Sequence, residues 1–108
     1  MEDHEQRAIE LRWLVKAKRW DGNAVREQMQ AISARHTLAI TADTSGRFGT
    51  RRYPNEEARQ AALSRALHAD KDYQTLRQRA RRIQLELTEL AKELYQLRPV
   101  RHHRPDEP

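Results

Sequence analysis

The chain is predicted to be mainly α: an elongated helical hairpin or bundle with a coiled-coil-like C-terminal helix and a small β-hairpin insert. Three observations lead there. Leu76, Ala80, Ile83, Leu87, Leu90, Leu94 and Leu97 recur in steps of four and three, which keeps one narrow apolar stripe on one side of a helix. Apolar residues make up 37% of the 108 and charged ones 34%, a balance too polar for a thick core but suited to helices that each bury a single stripe. Between residues 37 and 42 the pattern Thr-Leu-Ala-Ile-Thr-Ala breaks the helical period and alternates instead, as a short strand does.

Taking the elements in order, residues 5–20 read as a helix, with Ile9, Trp13 and Trp20 near one face and Leu11, Leu14 and Val15 broadening it. Asp21-Gly22-Asn23 is expected to break that helix, because Gly tolerates positive φ and Asn caps the next one. A second helix is expected over 24–35, with Val25, Met29 and Ile32 inward. The alternating run, the turn residues Ser45-Gly46-Arg47-Phe48-Gly49 and a return through Arg51-Arg52-Tyr53 predict a β-hairpin over 37–53.

Pro54-Asn55-Glu56-Glu57 is a helix start: Asn55 would cap it, and two carboxylates come next at the positive end of the helix dipole. Leu67 and Leu76 stand nine residues apart, on opposite faces of any continuous helix, so the stripe cannot run straight through. Asp70 resolves this by ending one helix and capping the next. The reading is therefore two helices, 56–69 and 71–97, meeting at a corner, with His68 and Asp72 in contact there. Residues 1–98 form one helical domain on this reading, and 99–108, with three prolines, form a disordered basic tail.

The stretch Gly46-Arg47-Phe48-Gly49-Thr50-Arg51-Arg52-Tyr53-Pro54-Asn55-Glu56-Glu57-Ala58-Arg59-Gln60-Ala61-Ala62-Leu63, then Leu67, Asp70, Tyr73 and Leu76, resembles a group of small phage-type helical proteins. These carry a glycine turn, a Tyr-x-Asn-Glu-x-x-Arg-x-Ala-x-Leu stretch and a long charged closing helix. The resemblance covers residues 46–97 and implies a companion of phage recombination and single-strand DNA handling. It brings no functional residues to carry over. The tryptophan-bearing N-terminal helix and the Arg/His tail depart from the pattern.

Charge points to an anionic partner. The net charge is +5, and 17 of the 21 basic residues are Arg, whose fork matches phosphate in a way Lys cannot. The excess gathers in residues 70–84, while 85–97 are net acidic. Arg77 with Arg81, and Arg79 with Arg82, form two helical rows beside the apolar stripe. They suit phosphates along a strand; pairing with Glu86, Glu89 and Glu93 of an antiparallel neighbour is the alternative. Arg47, Arg51 and Arg52 surround Phe48 and Tyr53, an interleaving that stacks bases and holds phosphates, unless both rings tuck against the helices. Arg101 and Arg104, beside His102 and His103, would add non-specific affinity or merely be solvated. Core packing is the default for Trp13 and Trp20; exposed, they would mark a partner groove or a base-stacking platform.

Catalytic and metal chemistry find no constellation. The histidines at 4, 36, 68, 102 and 103 lack metal-ligand spacing, the three glycines form no phosphate loop, and no cysteine is present. No cofactor or metal is expected, and the absence of cysteine fits a cytoplasmic protein. No apolar run reaches the length of a membrane span, and the acidic start Met1-Glu2-Asp3-His4-Glu5 is unlike a signal peptide.

The expected function is a non-enzymatic nucleic-acid-binding accessory, single-stranded DNA favoured, in phage-linked recombination or repair. The expected assembly is a homo-oligomer joined along Leu76, Ile83, Leu87, Leu90, Leu94 and Leu97. The competing expectation is a protein–protein adaptor, or a phage-encoded inhibitor docking its helices on an effector such as a host defence nuclease.

Overall fold

The computed structural model describes residues 2–97. Among them lie three helices and no strand: α1 (Glu2–Ala42), α2 (Glu56–Ala69) and α3 (Lys71–Gln96), with a short 3₁₀ turn at Arg47–Gly49 in the connection between α1 and α2. No helix among the described residues is long and apolar enough to cross a membrane. The expected tail over 99–108, with Arg101 and Arg104, lies outside the described residues.

Two expectations are overturned. The break at Gly22 does not occur, and α1 runs as one helix of 41 residues. Gly22 is buried inside it. A helical glycine costs about 1 kcal/mol against alanine, a penalty that packing of the helix outweighs. The β-hairpin over 37–53 is absent as well, because residues 37–42 are the last turns of α1. No Pro or Gly interrupts residues 24–45. Thr37 turns its hydroxyl back to the Ser33 carbonyl at 2.9 Å, the in-helix bond that lets threonine sit within a helix. An alternation of six residues is too short to outweigh the helix already running into it.

The helix starts stand as expected. The Asn55 side chain accepts from the Ala58 amide at 2.7 Å, capping α2, and Glu56 and Glu57 occupy its first turn. Asp70 ends α2 and starts α3. Its amide donates to the Leu67 carbonyl at 3.3 Å, and its Oδ1 accepts from the Tyr73 amide at 2.9 Å. Gln74 reaches back across the corner to the Leu67 carbonyl at 2.9 Å, satisfying one of the acceptors that a helix end leaves open.

The chain divides into two compact units, to each of which α1 and α3 contribute. One comprises Met1–Gly22 and the chain from Arg82 onward. There Arg7 pairs with Glu93 at 2.8 Å and Lys18 with Glu86 at 2.8 Å; the numbers rise on α1 as they fall on α3, so the helices run antiparallel. Leu11 is fully buried and Ile83 nearly so. The other unit is Asn23–Arg81, with Val25, Ile32 and Ala62 buried. The stripe residues Leu76, Leu87, Leu90, Leu94 and Leu97 are half-buried within the single chain.

Candidate nucleic-acid interface

The connection between α1 and α2 is a closed loop that hydrogen bonds hold shut. Asp43 is its clasp. Its carbonyl accepts from the Arg52 amide at 2.9 Å, its Oδ1 accepts from the Ser45 amide at 2.9 Å, and the Arg52 guanidinium stands 3.9 Å from its carboxylate. The Ser45 hydroxyl, then the Ser45 amide and Arg52, hold this carboxyl below the usual carboxylate range.

Inside the clasp, the Gly46 amide donates to the Thr50 carbonyl at 3.0 Å, and the Gly49 amide returns to the Gly46 carbonyl at 3.1 Å. The Arg47 carbonyl accepts both from the Thr50 amide at 3.2 Å and from the Thr50 hydroxyl at 2.7 Å. Gly46 is demanded by close approach: a Cβ there would lie 2.7 Å from the Thr50 oxygen and 2.9 Å from the Arg51 oxygen. Gly49 is demanded by its φ of +75°, since nothing crowds it.

Phe48 sits at the tip with φ 58° and ψ 32°, the left-handed region that costs a bulky L-residue roughly 1–2 kcal/mol. Its side chain is 95% exposed. Strain of this kind persists only where the surroundings over-determine it, and here it holds an apolar ring in solvent. Arg47 and Arg51 flank it, exposed and without a side-chain hydrogen bond or ion pair among the described residues. Tyr53 behaves differently. It is half-buried, Arg52 lies 5.3 Å from its ring centre, and its carbonyl accepts from Arg59 at 3.2 Å. Of the two aromatics expected to present themselves, Phe48 faces solvent and Tyr53 supports the loop.

Arg77, Arg79, Arg81 and Arg82 are all exposed on α3. None makes an ion pair or side-chain hydrogen bond among the described residues. The glutamates expected as alternative partners are engaged within the chain: Glu86 with Lys18, Glu93 with Arg7 through two bonds of 2.8 and 3.2 Å, and Glu89 with Lys92 at 3.6 Å. The Arg7 fork is the main reason that the Glu93 carboxyl lies below its ordinary range. No hydrogen bond or ion pair among the described residues joins the α3 arginines to the loop arginines.

Two features escaped the sequence reading. His36, which the sequence singled out only as lacking metal-ligand spacing, meets Asp70 at 2.7 Å, while His68 and Asp72, expected in contact, are both exposed and no bond joins them. Trp13 and Trp20, expected in the core, are 66% and 77% exposed. A helical wheel carries the signal: at about 100° per residue, Trp13 stands roughly 160° from Leu11 around the helix, and the two tryptophans nearly coincide. Burying Leu11 therefore turns Trp13 outward. Among the described residues no group of three or more His, Cys, Asp or Glu side chains is placed to hold a metal ion.

No family model, no curated protein and no solved structure matches this chain.

Proposed function

We propose that this protein is a non-enzymatic accessory that binds single-stranded DNA, in the setting of recombination or repair that its phage-type resemblance implies. One observation carries the reading: a hydrogen-bonded loop holds Phe48 in solvent, in a strained conformation, between the exposed Arg47 and Arg51. An aromatic ring beside cations serves a strand whose bases are open for stacking and whose phosphates need neutralising. The exposed arginines of α3 extend the same chemistry, because each phosphate contact adds affinity that falls with salt. A second reading, the protein–protein adaptor, draws on the exposed Leu14 and Leu85 beside a shallow groove of about 800 Å³ that Glu86, Glu89 and Glu93 also line.

The test is fluorescence anisotropy of labelled oligo-dT and of a duplex over a salt series. The wild-type protein is expected to bind the single strand more tightly. Phe48→Ala is expected to weaken that binding roughly 5- to 150-fold and leave the duplex nearly untouched. Binding to neither form at low salt would remove the proposal and leave the adaptor in its place.

A further inference from the structure

We infer that α1 carries a second, separate site for unpaired bases: a slot between Trp13 and Trp20 that takes two stacked bases of a single strand.

Both rings stand in solvent on α1, Trp13 at 66% and Trp20 at 77% exposure. The two residues are seven apart in sequence, so their Cα atoms stand nearly in line and roughly 10.5 Å apart along the axis. Ala17 lies between them, too small to fill the space, and Trp13, Lys16, Ala17, Trp20 and Asp21 line a depression of about 370 Å³. Two bases stacked between two rings need three intervals of about 3.4 Å, which closely matches that separation.

Charge decides what fills the slot. From Leu11 to Trp20 the sequence is Leu-Arg-Trp-Leu-Val-Lys-Ala-Lys-Arg-Trp, with four basic residues and no acid. Lys18 is turned inward to Glu86. Arg12, Lys16 and Arg19 fall on one flank of the tryptophan row, and Lys16 sits 5.4 Å from the Trp13 ring centre. On the other flank are Glu10, held by Arg7 at 3.5 Å, and Asp21. A strand seated here would therefore run its phosphates along the Arg12–Arg19 flank, away from Asp21. A second copy laid face to face would bury the Lys16 ammonium groups against each other, which disfavours self-docking on this strip.

The chain holds only these two tryptophans, so fluorescence excited at the red edge of absorption, where tyrosine does not absorb, reports on this site alone. The experiment titrates the full chain with unlabelled oligo-dT while anisotropy of a labelled oligo-dT follows total binding. Saturable quenching that weakens with salt is expected, together with a roughly 5- to 150-fold loss of affinity in Trp20→Ala at unchanged helicity. Phe48→Ala is expected to weaken total binding while leaving the quenching amplitude at saturation in place. Binding by anisotropy without quenching would overturn the slot and leave the Phe48 loop standing. Binding by neither readout would overturn both. A fluorescence response to anionic lipid vesicles but not to oligo-dT, or a dimer that Trp20→Ala dissociates, would assign the strip to a membrane surface or a second copy and overturn the inference.

Discussion

His36 Nε2 lies 2.7 Å from Asp70 Oδ2, tying α1 to the corner between α2 and α3 within one unit. The same carboxylate caps α3 through its other oxygen, on the Tyr73 amide at 2.9 Å. One side chain thus starts a helix and fastens it to a neighbour. The His36 bond chiefly, and the Tyr73 amide next, hold the Asp70 carboxyl below its ordinary 3.8.

This pair predicts an acid sensitivity of definite sign. A carboxyl whose pKa is lower folded than unfolded contributes stability that is complete above its ordinary value and lost as pH falls through the folded value. Melting temperature followed by circular dichroism from pH 5 down to pH 2 is expected to fall, and Asp70→Asn to flatten that fall. Equal slopes in the two proteins would show that the pair contributes nothing.

Asn55 caps α2 through its bond to the Ala58 amide. Asn55→Ala is expected to cost about 0.5–2 kcal/mol in urea unfolding. Asp70→Ala is expected to be the more harmful, since it removes a cap and a tertiary bond together. The reverse order would count against the double role of Asp70.

Leu11 and Trp13 are two residues apart on opposite faces of α1. Leu11→Ala removes a fully buried side chain and is expected to cost about 2–5 kcal/mol. Trp13→Ala is expected to fall within about 0.5 kcal/mol of wild type, as exposed substitutions usually do. A large loss in Trp13→Ala would place that ring in a packed contact.

On the proposed reading, Phe48 trades stability for binding. Phe48→Asn puts a residue that tolerates the left-handed region at φ 58° and is expected to raise unfolding stability by up to about 1 kcal/mol while weakening single-strand binding. Gly49→Ala, at φ +75°, is expected to destabilise. A destabilised Phe48→Asn would mean that the ring is held by packing rather than displayed.

Arg79 and Arg82 make no ion pair or side-chain hydrogen bond among the described residues. Replacing both with glutamine is expected to reduce the salt slope of binding by about 0.7–0.9 log units for each phosphate no longer neutralised. It is also expected to weaken all sequences alike, because phosphate contacts position without specifying. An unchanged slope would assign these arginines to solvation alone.

The helix starts at Asn55 and Asp70 and the four–three stripe of α3 were legible in the sequence. A cap acts within three residues of itself, and a stripe arises from helix period alone, so neither needs a distant partner. The loop arginines and Phe48 could be named from composition, but not the clasp at Asp43 or the strain at Phe48. Those arise when Arg52 returns to a carbonyl nine residues earlier. Tertiary structure alone decided the rest. Gly22 stays helical, and residues 37–42 extend α1 instead of pairing as a strand, because a weak local signal yields to a long helix with a packed face. His36 meets Asp70 across 34 positions, which no local spacing encodes. The outward turn of Trp13 and Trp20 depends on which face of α1 the neighbouring helix covers: once Leu11 is the buried residue, helix geometry leaves the tryptophans facing solvent.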